Sequence, residues 1–396
     1  MFLRAFAAFT RAVGAAALLA VMAFGGGTAL AEKYAAIVID ADTQEVLHDR
    51  NADEPRYPAS LTKIMTLYML FDALKAGEVS LDEKLVVSRY AAAQAPSNLK
   101  LKTGARITVR DAIGALVTKS ANDVAVVVAE RLGGTESRFA QLMTVKAKSL
   151  GLENTRFVNA SGLPDTRQLS TARDLALLAE AMLRDHADYY HYFSTRQFSW
   201  GGKTYTNHNE LLGAVDGVDG IKTGYTRASG FNLIASAQRD GRRVIAVMLG
   251  GSTARARDRH VEALLEAAFS SFALPADDPA LRARLAFAAL EAPLSPESAA
   301  EPMLNGKPLS VIMAATPAAP ALNPVNDNFE AAQGDADDLL PVSQTAPQAS
   351  AAELIEPADS PIDPESTSLG RYMAQAPVLE DPAFTPDEYL RRQLAK

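Results

Sequence analysis

The apolar run at residues 34–39 (YAAIVI) reads as a buried strand. A polar turn at Asp42-Thr43 leads to a second short strand near residues 45–48. Helical spacing of apolar positions then predicts helices over 60–76, 109–131, 136–150 and 172–185. Gly77, Gly133-Gly134 and Gly151 stop the first three, and Ser170-Thr171 caps the fourth. Residues 230–238 and 242–249 alternate in β-forming side chains around Asp240-Gly241, a favoured hairpin turn. Val261, Leu264, Leu265, Ala268 and Phe272 return to helical spacing within 254–273. Strands at both ends with helices between them predict an α+β fold: one antiparallel sheet built from both ends of the domain, beside a helical cluster.

The pattern changes at its two margins. Arg4 and Arg11 precede an apolar run of 13 residues, 12–24, and Ala29-Leu30-Ala31 offers small residues before Glu32. That is the layout of a cleaved export signal over residues 1–31, since a membrane span needs about 20 apolar residues. From Pro275 onward the chain holds 17 of its 21 prolines, with much Ala, Asp, Glu and Ser. A helix at 281–290 and a strand at 309–313 are possible there, and the rest is expected to be mostly disordered for want of apolar density. The expected organisation is a signal at 1–31, a folded domain at 32–274 and a tail at 275–396.

Charge follows the same division. The net charge of -8 splits into -12 for residues 275–396 and +4 for the remainder, so acidity belongs to the tail. No basic block of the kind that tracks nucleic acid is present. Cysteine is absent, which excludes disulfides, a thiolate nucleophile and thiolate metal sites. His48, His186, His191, His208 and His260 show no metal-ligand spacing, and no metal or other cofactor is expected. Trp200 and the aromatics at 189–193 read as packing or a groove wall.

Three polar clusters carry candidate chemistry. Ser60 and Lys63 stand three apart at a helix start, so they share a face. A serine hydroxyl needs an adjacent base, which a neutral lysine supplies. Ser120-Ala121-Asn122 offers a second hydroxyl and an amide that can orient a peptide carbonyl. Lys222-Thr223-Gly224, expected to lead into the strand at 230–238, offers a cation, a hydroxyl and a glycine that permits close backbone approach, suited to a carboxylate end. Two of these patterns recur. Ser97-Asn98-Leu99-Lys100 lies in a polar loop with no apolar helix behind it, and Lys102-Thr103-Gly104 precedes a short strand at 105–108. Both read as decoys.

The order SxxK, SxN, KTG, with steps of 60 and 102 residues, resembles the low-molecular-mass penicillin-binding proteins that act as serine D-alanyl-D-alanine carboxypeptidases. The resemblance covers roughly 33–273 and includes YPASLTKIMT, LVTKSANDVAV, LSTARDLALLAEAML and VDGIKTGYTRASGFNLIASA. It implies that Ser60 forms an acyl-enzyme, with Lys63 as general base and Ser120 as proton shuttle to the leaving D-alanine. It implies that Asn122 binds the peptide, and that the amides of Ser60 and Tyr225 form the oxyanion hole. Lys222 would supply charge, and Thr223 and Arg257 would hold the terminal carboxylate. The implied partners are peptidoglycan stem peptides, with β-lactams as covalent inhibitors, acting outside the cytoplasmic membrane.

Three other readings share parts of this set. A β-lactamase needs a water-activating carboxylate, usually in an ExxLN run, and the nearest string, starting at Glu180, lacks the Asn. A D,D-endopeptidase uses the same chemistry on cross-links. A non-catalytic scaffold has no reason to retain Ser60, Lys63, Ser120 and Lys222 together. Residues 386–396 have little apolar face, which leaves membrane attachment open.

Overall fold

The computed structural model describes residues 33–274 and 278–291, with the short strand pairs Met303–Leu304 and Lys307–Pro308. The expected export signal and the expected strand at 309–313 lie outside the described residues.

The central sheet has five strands: β1 (Ala35–Asp40), β2 (Val46–Arg50), β7 (Val218–Thr226), β8 (Gly230–Arg239) and β9 (Arg242–Gly251). Their order is β2-β1-β9-β8-β7, antiparallel throughout, so the first strand of the domain pairs with the last. The α+β architecture expected from the sequence is present. The β8–β9 turn places Asp240 at φ 49° and Gly241 at φ 77°, and two positive φ values are what a tight hairpin of this hand requires.

Successive residues on the central strands serve opposite faces. Ile37, Ile39, Ile245 and Val247 enter one apolar cluster, and Ala36, Val38, Val244 and Ala246 enter the other. The first cluster packs α1 (Thr62–Lys75), α3 (Val109–Val117), α4 (Asn122–Gly133), α5 (Glu136–Ser149) and α6 (Ala172–Asp185). The second is covered by α8 (Ala254–Ala273) and α9 (Pro279–Glu291). Short helices α2 (Arg89–Ala92) and α7 (Ala187–Tyr190) and the small strand pairs β3 (Lys84–Val86) with β4 (Arg106–Thr108), and β5 (Gln197–Trp200) with β6 (Lys203–Thr206), lie between these elements along the chain.

Four expectations need correction. The helix expected at 60–76 opens instead as a 3-10 turn, Ala59–Leu61, and becomes α-helical at Thr62. The helix expected over 109–131 is two helices, because Ser120 takes φ 60° and ends the regular backbone between α3 and α4. Lys222-Thr223-Gly224 does not lead into the 230–238 strand but lies within its own strand, β7. The folded part also continues past 274: α9 buries Phe287, whose ring stacks on His48 at 4.9 Å.

Candidate active site

Ser60 sits in the 3-10 turn just before α1, on a strained approach. Ala59 holds φ 49°, a left-handed conformation unusual for a residue with a Cβ. Asn232, fully buried on β8, fixes this approach by donating from Nδ2 to the carbonyls of Tyr57 (3.1 Å) and Pro58 (3.3 Å). Its Oδ1 accepts from Gly250 N at 3.0 Å, so one amide ties the Ser60 turn to two strands. Gly162 (φ 86°) packs so closely on the Ala59 carbonyl that a side chain there would overlap it. On the other side Gly224 is also tightly approached, since a Cβ would stand 3.0 Å from both Pro58 O and Ser60 N. Backbone contact at this range brings β7 against the Ser60 amide.

Lys63 is entirely buried one turn along. Its Nζ lies 3.2 Å from Ser60 Oγ, 2.8 Å from Asn122 Oδ1 and 2.6 Å from the Ser161 carbonyl. Burial first, and the charge of Lys222 second, hold its pKa well below the ordinary lysine range, while Asp123 and Glu136 oppose the shift. A lysine in that state can be a proton acceptor beside a serine. Thr66, a turn further along α1, donates to the Ala160 carbonyl at 2.7 Å and holds the 159–162 loop in place.

Ser120 and Asn122 come from the break between α3 and α4. Ser120 Oγ is buried and makes no hydrogen bond among the described residues, leaving its hydroxyl available. Asn122 spans two elements: Oδ1 accepts from Lys63, and Nδ2 donates to the Ala95 carbonyl at 2.8 Å. Its backbone N–H donates to Ser97 O at 2.6 Å. The supposed decoy loop therefore forms one wall of the site. Ser97 Oγ itself donates to Lys119 O, and Lys100 is exposed, so neither has the setting of Ser60 and Lys63.

Strand β7 is an edge of the sheet and packs against the turn that carries Ser60. Lys222 is buried, and burial followed by the charge of Arg257 lowers its pKa to about 7. Thr223 is buried beside it, and Tyr225 is exposed at the outer end. Of the three neighbouring arginines only Arg257 is buried, whereas Arg255 and Arg259 are exposed. Its guanidinium is fixed by Asp258 Oδ1, at 2.9 Å from Nε and 2.7 Å from Nη2. His208 keeps a face in solvent. Crowding by protein, then the charges of Lys222, Lys119, Arg257 and Lys63, lowers its pKa to about 3. The cationic field around it marks this end of the groove as suited to an anion.

All nine candidate residues thus fall on three adjoining segments: the Ser60 turn with α1, the α3–α4 break, and β7 with the start of α8. Asn232, Gly162, Asp258 and the 95–101 loop were missed by motif reading. Asn232 did leave a signal, as an amide inside an otherwise apolar, alternating strand. Among the described residues no group of His, Asp and Glu is placed to hold a metal ion.

An activated serine, a buried amine and a cationic groove end define a serine acyl-transfer type of site. The chain belongs to the D-alanyl-D-alanine carboxypeptidase family, Peptidase S11, whose model matches residues 28–253. It is 36% identical over 250 residues to the D-alanyl-D-alanine carboxypeptidase DacF of Bacillus subtilis, covering 61% of this chain and 63% of that one. It is 38% identical over 243 residues to DacC of Escherichia coli, covering 60% and 61%. The match therefore spans less than two thirds of these relatives' length. Among solved structures, penicillin-binding protein D2 from Listeria monocytogenes in its cefotaxime-bound form is similar at a TM-score of 0.55 and 36% identity. That match covers 59% of this chain and 96% of the other.

Proposed function

We propose that this protein is an exported serine D-alanyl-D-alanine carboxypeptidase that trims peptidoglycan stem peptides and is acylated by penicillins. The observation that carries this reading is Ser60 Oγ at 3.2 Å from a buried Lys63 whose charged form is disfavoured. Ser60 Oγ attacks the carbonyl carbon of the penultimate D-alanine while Lys63 takes its proton. The developing oxyanion is met by the amides of Ser60 and Tyr225, and the close approach at Gly224 is what brings their segments together. Ser120 passes a proton to the nitrogen of the departing D-alanine, its unpaired hydroxyl being free to do so. Water then releases the acyl group from Ser60.

Lys222, Thr223 and Arg257 hold the terminal carboxylate. The positive field of Lys222 and Arg257 favours a free chain end over an internal bond, which separates this reading from an endopeptidase. The β-lactamase reading is weakened because the carboxylates acting on Lys63 are engaged. Asp123 accepts from Leu99 N and Leu101 N, and Glu136 accepts from Tyr90 and Ala160 N. Glu180 is bound to Gln44 at 2.6 Å. Export is supported by the pattern of residues 1–31, and penicillin binding by the cefotaxime- and ampicillin-bound Listeria structures.

Mass spectrometry of the purified protein after exposure to a penicillin and to a stem pentapeptide tests the reading. We expect a penicilloyl adduct on the Ser60 peptide and loss of one D-alanine from the pentapeptide, with neither in Ser60→Ala. An adduct on Ser97, or no reaction with either compound, would end it.

A further inference from the structure

Glu136 is a buried carboxylate that the proposed chemistry does not use. It opens α5, where the helix N-terminus favours a negative charge. Its Oε2 accepts from the Tyr90 hydroxyl at 2.7 Å, and its Oε1 accepts from Ala160 N at 3.0 Å. The Ala160 carbonyl in turn accepts from Thr66 Oγ1 on α1 at 2.7 Å. Both backbone groups of Ala160 are therefore tied to helices. The next carbonyl along, that of Ser161, meets Lys63 Nζ at 2.6 Å. Asn159 Oδ1 accepts from Ser161 N and Gly162 N, but those bonds are internal to the loop and set its shape rather than its distance from α1.

The Ser161 carbonyl decides which way the Lys63 amine points. A neutral lysine amine has two N–H groups and one lone pair. Lys63 has three polar neighbours: Ser161 O, Asn122 Oδ1 at 2.8 Å and Ser60 Oγ at 3.2 Å. The first two can only accept, so they take the two N–H groups. Asn122 is fixed in that sense because its Nδ2 donates to the Ala95 carbonyl. The lone pair is left for Ser60, whose hydroxyl alone among the three can donate. If the Ser161 carbonyl moved away, an N–H would be free to turn towards Ser60 Oγ, and the base would be misdirected.

Charge is a separate contribution. After burial, the charge of Lys222 disfavours the Lys63 ammonium, whereas those of Asp123 and Glu136 favour it. Glu136 itself is faced by Lys63 from α1, by Tyr90 from α2 and by the Glu130 carboxylate from α4.

We infer that Glu136 is a positioning residue: it holds the Ala160–Ser161 peptide so that the Ser161 carbonyl takes one N–H of Lys63 and leaves the lone pair to Ser60. This inference rests on the peptidase reading above, in which Lys63 is the base.

Two substitutions separate reach from charge. Glu136→Asp keeps the charge but withdraws the carboxylate by one methylene from Ala160 N. Glu136→Gln keeps an oxygen in reach of Ala160 N but removes the charge. Acylation by a chromogenic β-lactam is followed across pH in both, with thermal unfolding and hydrogen exchange of the Ala160 amide. In Glu136→Asp the plateau rate should fall about tenfold, the scale of a small misplacement, with its acid limb in place and the Ala160 amide exchanging faster. In Glu136→Gln the plateau and the slow exchange should be kept. Its acid limb should move to lower pH, because one charge that favours the ammonium is gone. An undiminished plateau in Glu136→Asp overturns the inference, and so does a plateau as low in Glu136→Gln as in Glu136→Asp. Rates that follow the unfolding temperature with the acid limb unmoved in both would show a residue that only stabilises the fold. Either variant decides by itself if the other does not fold. Failure of the peptidase reading looks different, because the unaltered protein would then take no penicillin at Ser60.

Discussion

Residues 60–63 and 97–100 share the order Ser-x-x-Lys and lie on two walls of one site, yet their side chains have opposite settings. Lys63 is fully buried at the start of a 14-residue helix, whereas Lys100 is exposed with φ 58° in a loop. Ser60 Oγ faces an amine, while Ser97 Oγ is occupied by the Lys119 carbonyl. The helix supplies the difference. It fixes Ser60 and Lys63 on one face and carries Lys63 into a medium where an ammonium is costly. The loop instead contributes backbone, through the carbonyls of Ala95 and Ser97 that hold Asn122. On the proposed reading, one tetrad does chemistry with side chains and the other supports it with main chain.

The largest effect that could break this contrast is at the lysines. Lys63→Met should slow acylation of Ser60 by penicillin about 10²–10⁴-fold, the usual share of a general base. Lys100→Met should change it by no more than about twofold, as for an exposed side chain. The pH profile sharpens the comparison. As the proposed base Lys63 must lack its proton, so the rate should fall as pH drops through its lowered pKa, and that limb should vanish in Lys63→Met. Lys222 is useful while charged, so kcat/KM on the free enzyme should also decline as pH rises through about 7. A comparable loss in Lys100→Met, or an acid limb that survives in Lys63→Met, would remove the distinction.

Much of this arrangement was legible in the sequence, because the apolar spacing of 62–75, the turn at 240–241 and the motif order are local signals. Four of the sheet's five strands and the helix that carries Lys63 follow from them. What was not legible depends on partners distant in sequence. Residues 109–131 keep helical apolar spacing across the break, and only the left-handed Ser120 shows where the helix ends. Strand β7 was missed because Gly220 and Gly224 dilute its β pattern, although Gly224 is what lets it approach Ser60. The role of Asn232 needs contacts 174 and 175 residues away. The 95–101 loop looked inert because its contribution is made by carbonyl groups, which every residue possesses.

Asp123 tests how firmly that loop must be held. Its carboxylate accepts from Leu99 N at 3.0 Å and from Leu101 N at 3.1 Å, and anchors the loop to α4 next to Asn122. Asp123→Ala leaves three buried amides, those of Leu99, Leu101 and Val124, without this acceptor, which should cost roughly 2–4 kcal/mol of stability. It should also slow acylation about 10–100-fold as Asn122 loses its support, the scale of misplacing a positioning group. Asp123→Asn keeps one acceptor oxygen and should fall between. Thermal unfolding and penicillin acylation measured together check this. An unfolding temperature that drops without any change in acylation would show that the loop stabilises the fold but does not position the site.

The smallest effect concerns Ser97 itself, where the contrast between side chain and main chain can be read in one residue. Its hydroxyl makes one hydrogen bond, 2.9 Å to Lys119 O, so Ser97→Ala should cost about 0.5–1.5 kcal/mol of stability. The carbonyl that accepts from Asn122 N survives that change, and acylation should stay within about threefold. Ser97→Gly removes the same hydroxyl and also loosens the backbone bearing the carbonyl, by about 0.5–1 kcal/mol of added conformational freedom. The glycine variant should therefore acylate more slowly than the alanine variant, with the adduct on Ser60 in both. Stopped-flow acylation by a chromogenic β-lactam resolves differences of this size. If alanine and glycine are equally slow, the hydroxyl carries the contribution, and Ser97 supports the site through its side chain after all.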